Sequence, residues 1–210
     1  MAARIGIQAA AAPIPAAAEV VRRDRRAYLE AMTVMSWPNT TGHALAREVL
    51  FPAAATAVIA LSADVRMPLG LPGHRGLVWL TLLVAVALTA RRPQTVLAVG
   101  AASTAATVLL QSGPGPGGSI RYLGAAALLC LLTANAAARA RRWLIALAAA
   151  PIHLVALTVP VATWLVGGHH FAPAGIGEKA LFHLGFGLVA GALGWAIAAM
   201  IDRAAPEATG

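Results

Sequence analysis

The sequence predicts an all-α polytopic membrane protein with six transmembrane helices and both termini cytoplasmic, and three observations carry that expectation. Of the 210 residues, 59% are hydrophobic and 11% charged, with a mean hydropathy of +0.74, whereas a soluble domain carries about 25% charged residues. Too little polar material remains to cover a water-soluble fold. The apolar residues gather into six stretches bounded by charges or Gly/Pro clusters, at 45–63, 76–90, 94–111, 121–138, 143–166 and 180–201. The cations then alternate between connections. Arg4, Arg22, Arg23, Arg25, Arg26, Arg47, Arg91, Arg92, Arg139, Arg141, Arg142 and Arg203 fall on one side, against Arg66, Arg75, Arg121 and Lys179 on the other. Cations are retained in short cytoplasmic loops, so twelve against four sets both termini inside.

Residues 1–43 precede the first stretch. Pro13 and Pro15 interrupt their apolar part and four arginines follow it, the wrong order for a secretory signal. A cytoplasmic extension is expected there, able to form a short interfacial helix around 19–35. Residues 44–203 make the transmembrane domain and 204–210 a cytoplasmic tail. The first stretch ends at a connection rich in Gly and Pro that carries His74 and Arg75 and leads to Trp79. It reads either as a lid presenting a planar cation and a stacking ring to a ligand, or as a headgroup-anchored turn with Trp79 in the interfacial aromatic belt. The second stretch has only about 15 residues, or ~22 Å of helix against a hydrocarbon core of ~30 Å. It must be buried in protein, extended by snorkelling of Arg91 and Arg92, or fused to an irregular loop.

Gly100 and Thr104 give the third stretch a small face suited to close packing. The connection at 112–121 reads as a flexible turn or as a backbone nest for an anion, and Arg121 beside Tyr122 forms a candidate anion site at its end. Cys130, the lone cysteine, is a small buried hydrophobe in the fourth stretch and rules out a disulfide framework. Asn135 and His153, the latter between Pro151 and Pro160, are buried polar groups that suit a helix-to-helix hydrogen bond or ligand contact. The last connection brings His169, His170, Glu178 and Lys179 ahead of His183. Lys179 and His183 are one helical turn apart and share a face. The adjacent His169 and His170 side chains diverge and have no third ligand at a fixed spacing, so no metal site is expected. Gly187, Gly191 and Gly194 permit close packing of the sixth stretch.

Other function classes lack their residues. Gly117-Gly118-Ser119 is not a nucleophile elbow, and the chain contains no His-Glu-x-x-His or phosphate-binding loop. No enzyme activity and no cofactor are expected. The arginines sit at the ends of apolar runs as topology signals, so no nucleic acid partner is expected either.

Residues 45–203 as a whole resemble the substrate-binding S components of energy-coupling factor transporters. The resemblance rests on six stretches with both ends inside, a glycine-containing first outer loop leading into a short second stretch, and a polar start to the sixth stretch followed by His183-Leu184-Gly185-Phe186-Gly187-Leu188-Val189-Ala190-Gly191. It implies a substrate near the outer surface, with His74, Arg75 and Trp79 in a covering loop, Arg121 and Tyr122 at the side, and Lys179 and His183 on the last helix. It also implies that Ala53 and Ala57 face a coupling membrane subunit that works with ATPases. Cobalt and nickel members carry a histidine after the initiator methionine, where this chain has Met1-Ala2-Ala3-Arg4, so the resemblance implies an organic substrate. The expected function is uptake of a small polar or anionic organic micronutrient across the bacterial inner membrane. The alternative is a structural or assembly protein that holds membrane lipid or a cytoplasmic partner without transport.

Overall fold

A computed structural model describes residues 45–65, 72–112, 115–167 and 173–204. The expected N-terminal extension, Arg66, His169, His170 and the tail beyond Ala204 lie outside the described residues. Within them the chain is helical and contains no strand. A π-helical turn, Ala46–Leu50, continues into α1, Phe51–Ser62. Then follow α2, Gly76–Thr89, and α3, Pro93–Leu109. Next come α4, Gly115–Ala134, and a short α5, Ala136–Ala140. After α6, Arg142–His153, a 3₁₀ segment Leu154–Leu157 leads into α7, Thr158–Gly167, and the chain closes with α8, Pro173–Ala204.

Three helical runs are long and apolar enough to cross a membrane: Gly117–Ala134, Arg142–Ala162 and Gly175–Ala204. Their outward faces carry large apolar side chains, with Leu131 71% and Leu181 70% exposed. Contiguous exposed apolar surface on this scale belongs in lipid. The two shorter apolar helices, α2 and α3, have 14 and 17 residues.

Burial explains how so short a helix as α2 is accommodated. Ten of its 14 residues are buried, and it touches α1, α3, α4, α6 and α8. It is therefore the axis of the bundle, wrapped by five other helices, and protein in place of lipid lines most of its length. Trp79, one option for which was the interfacial belt, is 3% exposed and belongs to this axis.

Close approach of the remaining helices depends on small residues. A Cβ at Gly100 would lie 2.7 Å from the Tyr122 carbonyl oxygen on α4, and one at Gly194 would lie 2.8 Å from the Thr81 carbonyl oxygen on α2. Gly191 sits directly against the Ala146 carbonyl on α6. Thr104 strengthens the α3–α4 contact by donating its hydroxyl to the carbonyls of Gly100 at 2.8 Å and Ser119 at 3.1 Å.

Two sequence expectations are corrected. The fourth stretch begins six residues before 121, because Gly115 to Ile120 are helical and the Ser119 carbonyl is tied to Thr104 of α3. It also ends before 138. Asn135 is exposed and breaks the helix, its Oδ1 accepting from the amides of Ala137 and Ala138 at 2.9 and 3.2 Å. That is the ordinary duty of an asparagine N-cap, so Asn135 makes a local cap in place of an interhelical bond.

Candidate functional site

The site forms where α2 starts. Residues 72–75 turn directly into the helix, with the Gly76 amide donating to the Gly73 carbonyl at 2.9 Å and the Leu77 amide to the His74 carbonyl at 3.1 Å. Gly73 has φ +89°, a left-handed conformation suited to glycine. The two glycines of this turn rest on two imidazoles. A Cβ at Gly73 would lie 3.3 Å from His183 Cγ, and one at Gly76 would overlap the His153 ring, lying 2.7 Å even from its Cδ2.

Those imidazoles come from α6 and α8, with ring centroids 4.6 Å apart. His153 Nδ1 is 2.8 Å from the His183 carbonyl oxygen. A carbonyl only accepts, so Nδ1 carries the proton and the His153 tautomer is fixed by this bond. Trp79, one turn into α2, meets His153 edge-on at 5.6 Å and Tyr122 of α4 edge-on at 5.6 Å. Four helices thus contribute one continuous row of rings, with Trp79 making the T-shaped contacts aromatic quadrupoles favour and the two imidazoles tilted against each other. Arg121 closes the row. Its guanidinium carbon lies 5.1 Å from the Tyr122 ring centre and Nη2 donates to Tyr122 Oη at 3.2 Å.

A cavity of about 300 Å³ opens over this row. Pro72, Gly73, His74, Arg75 and Gly76 border it from the turn, Trp79 from α2 and Arg121 from α4. His153, Ala156, Leu157 and Pro160 complete one wall and His183 another. Its volume matches the lower end of the roughly 300–1,000 Å³ range of small-molecule sites. Several polar atoms here have no hydrogen-bond partner among the described residues: Trp79 Nε1, Arg121 Nε, His153 Nε2 and His183 Nδ1. Burial of such groups is unfavourable by a few kcal/mol each unless something pairs with them.

Five of the seven residues singled out from the sequence line this cavity: His74, Arg75, Trp79, Arg121 and His183. Tyr122 is 1% exposed and lies behind Arg121, lining a narrow crevice shared with Arg75 and Trp79. Lys179 sits one turn before His183 on α8 and is not among the cavity-lining residues. Glu178 is exposed and lines a separate apolar groove along α8. His153 is the main addition. Its signal was an imidazole in an apolar stretch between two prolines, and the helix does change there from α to 3₁₀. Although three histidines border the cavity, no three His, Cys, Asp or Glu side chains among the described residues gather as a metal site.

The opposite end of the bundle is organised differently. Asp202 of α8 pairs with both Arg47 and Arg142. Arg139 donates to the carbonyls of Ala90, at 2.7 Å, and Arg91, and Glu48 accepts from the Arg91 amide at 2.6 Å. Cations thereby cover the free carbonyls at the end of α2. Ala53 and Ala57 lie on the exposed face of α1. No family model, curated protein or solved structure matches this chain significantly.

Proposed function

We propose that this chain is a membrane-embedded substrate-binding subunit, similar to an energy-coupling factor S component, for uptake of a small polar or anionic organic micronutrient. One observation carries the reading. Cations, imidazoles and an indole from four helices and one turn converge on a cavity of about 300 Å³, where several hydrogen-bonding atoms have no partner among the described residues. Packing alone gives no reason to concentrate such groups, whereas ligand sites combine apolar walls with a few convergent polar atoms.

In this reading six helical segments cross the membrane, α2 among them through its burial, and both termini are cytoplasmic. The cavity faces outward, and the paired arginines at the other end face the cytoplasm. The protein catalyses no reaction. It holds the solute and depends on a coupling membrane subunit, met through the Ala53 and Ala57 face of α1, and on ATPases for energy. Release requires the 72–76 turn to leave its histidine seats or the helices to shift as a body. The structural or assembly alternative draws on Arg91, Arg92, Arg141 and Arg203, which remain exposed at the far end and suit lipid phosphates.

Two experiments separate these readings. A vitamin and nucleobase panel should contain a compound that raises the unfolding temperature of the purified protein, and Arg121→Ala should abolish growth on that compound when it is limiting. Affinity purification from the native membrane should recover an ATPase and a second membrane subunit. No stabilising compound and no such partners would leave the assembly reading standing. Orientation is tested in a Cys130→Ser background: an impermeant thiol reagent should label Gly115→Cys from outside and leave Pro93→Cys unmodified. Labelling of Pro93→Cys alone would invert the topology.

A further inference from the structure

The polar groups around the cavity are unequal in what they offer. A guanidinium and an indole N–H only donate. Arg75 forms no ion pair among the described residues, and Arg121 engages Tyr122 while leaving Nε unpartnered. Trp79 Nε1 is likewise a buried donor without a partner among the described residues. Two of the nearby acceptors are already engaged or covered. The His183 carbonyl is taken by His153 Nδ1, and His153 Nε2, the one lone pair the fixed tautomer leaves, is covered by the Gly76 backbone so closely that a methyl would overlap it. The imidazoles of His74 and His183 can serve in either role. No carboxylate is among the described residues lining the cavity.

From this imbalance we infer that the ligand is an organic acid held by its carboxylate, with a compact apolar body against Ala156, Leu157 and Pro160. The inference rests on the solute-binding reading and narrows it. An ionised carboxylate is an acceptor only, with about four lone-pair sites, and it accepts from a guanidinium in a fork. An amine would add donors to donors and a positive charge beside Arg75 and Arg121. A primary amide satisfies one donor with its oxygen and turns its NH₂ toward the rest. Hydrogen bonds to a charged acceptor are stronger than neutral ones by an amount worth roughly tenfold in affinity.

Matched acid and amide pairs test this on the full chain in lipid nanodiscs: nicotinate and nicotinamide, biotin and biotinamide, lipoate and lipoamide, pantothenate and panthenol as its alcohol. Calorimetric titration should find one acid bound roughly tenfold or more tighter than its neutral partner. Arg121→Gln should collapse that preference. Arg75→Gln, at an exposed position, and Trp79→Phe, which keeps a ring and removes the N–H, should each reduce it if Arg121→Gln fails to fold. A neutral or amine compound binding as tightly as any acid, in this set or the wider panel, would overturn the carboxylate assignment and leave the solute-binding reading intact. Absence of binding by every compound would overturn both.

Discussion

The two ends of the helical bundle use nearly the same residue types to opposite effect. At the basic end, Arg47, Arg139 and Arg142 are consumed by Asp202 and by the carbonyls that finish α2. At the cavity end, Arg75 and Arg121 have no carboxylate partner among the described residues, and the indole and imidazoles beside them keep unpaired atoms. Arginines that satisfy helix ends hold a structure together. Arginines without a carboxylate partner beside a cavity are the ones the proposed reading gives to a solute. The difference teaches that the basic composition of this chain serves two purposes, and that pairing, more than charge count, tells them apart.

That contrast can be broken or sharpened by substitution. The largest effect is expected at Gly76→Ala, where the methyl overlaps the His153 ring. Overpacking should lower stability by about 3 kcal/mol, read as unfolding temperature in nanodiscs, and should abolish ligand binding. The double variant Gly76→Ala, His153→Ala should be more stable than Gly76→Ala alone, because the obstruction is a side chain. Equal stability of the two would show that the ring is not what occupies the space.

Arg121→Gln should come next. It should weaken ligand affinity ten- to a hundredfold, about 1.4–2.8 kcal/mol, while unliganded stability falls by only ~0.5–1 kcal/mol as the contact with Tyr122 is lost. Asp202→Asn should do the reverse. Its partners are part-exposed, with side-chain accessibilities of 30% and 37%, so the loss should be about 1 kcal/mol of stability, smaller at high salt, with ligand affinity unchanged. A fall in affinity there would erase the distinction between the ends. The smallest effect is expected at Gly185→Ala, since nothing lies within 4 Å of a Cβ at that position. Its unfolding temperature should match the wild type, whereas Gly187→Ala, whose Cβ would lie 2.6 Å from Ala150 Cα, should destabilise.

The fold was legible where hydrophobicity had to be continuous. All six apolar stretches correspond to helical segments, since lipid and core alike demand unbroken apolar sequence. Helix ends were less legible. Gly115 to Ser119 have turn-forming composition yet begin α4, because proline is tolerated in a first helical turn and Thr104 of α3 bonds the Ser119 carbonyl. Asn135, in an apolar stretch, suits an interhelical bond or ligand contact by sequence, yet the same residue type is a strong helix cap and caps α5 here.

The site followed a similar rule. His74, Arg75, Trp79, Arg121 and His183 stood out because polar groups at the ends of apolar helices are expensive without a role. His153 carried the same signal but stood deeper in its stretch, where a bond between helices explains an imidazole equally well. It makes that bond, to the His183 carbonyl, and borders the cavity too. Which helices share a wall depends on three-dimensional packing, so the adjacency of His153 to Gly76 was invisible in one dimension.

On the proposed reading a solute sits in the cavity, and thiol protection tests this most directly. Ala156 lines the cavity, so Ala156→Cys in a Cys130→Ser background gives a reporter on its wall. A small maleimide should modify that cysteine in the free protein, and any compound that raises the unfolding temperature should slow the modification at least tenfold, with no such protection in Arg121→Gln. Stabilisation by a compound that leaves Ala156→Cys fully reactive would place the solute elsewhere and contradict the account.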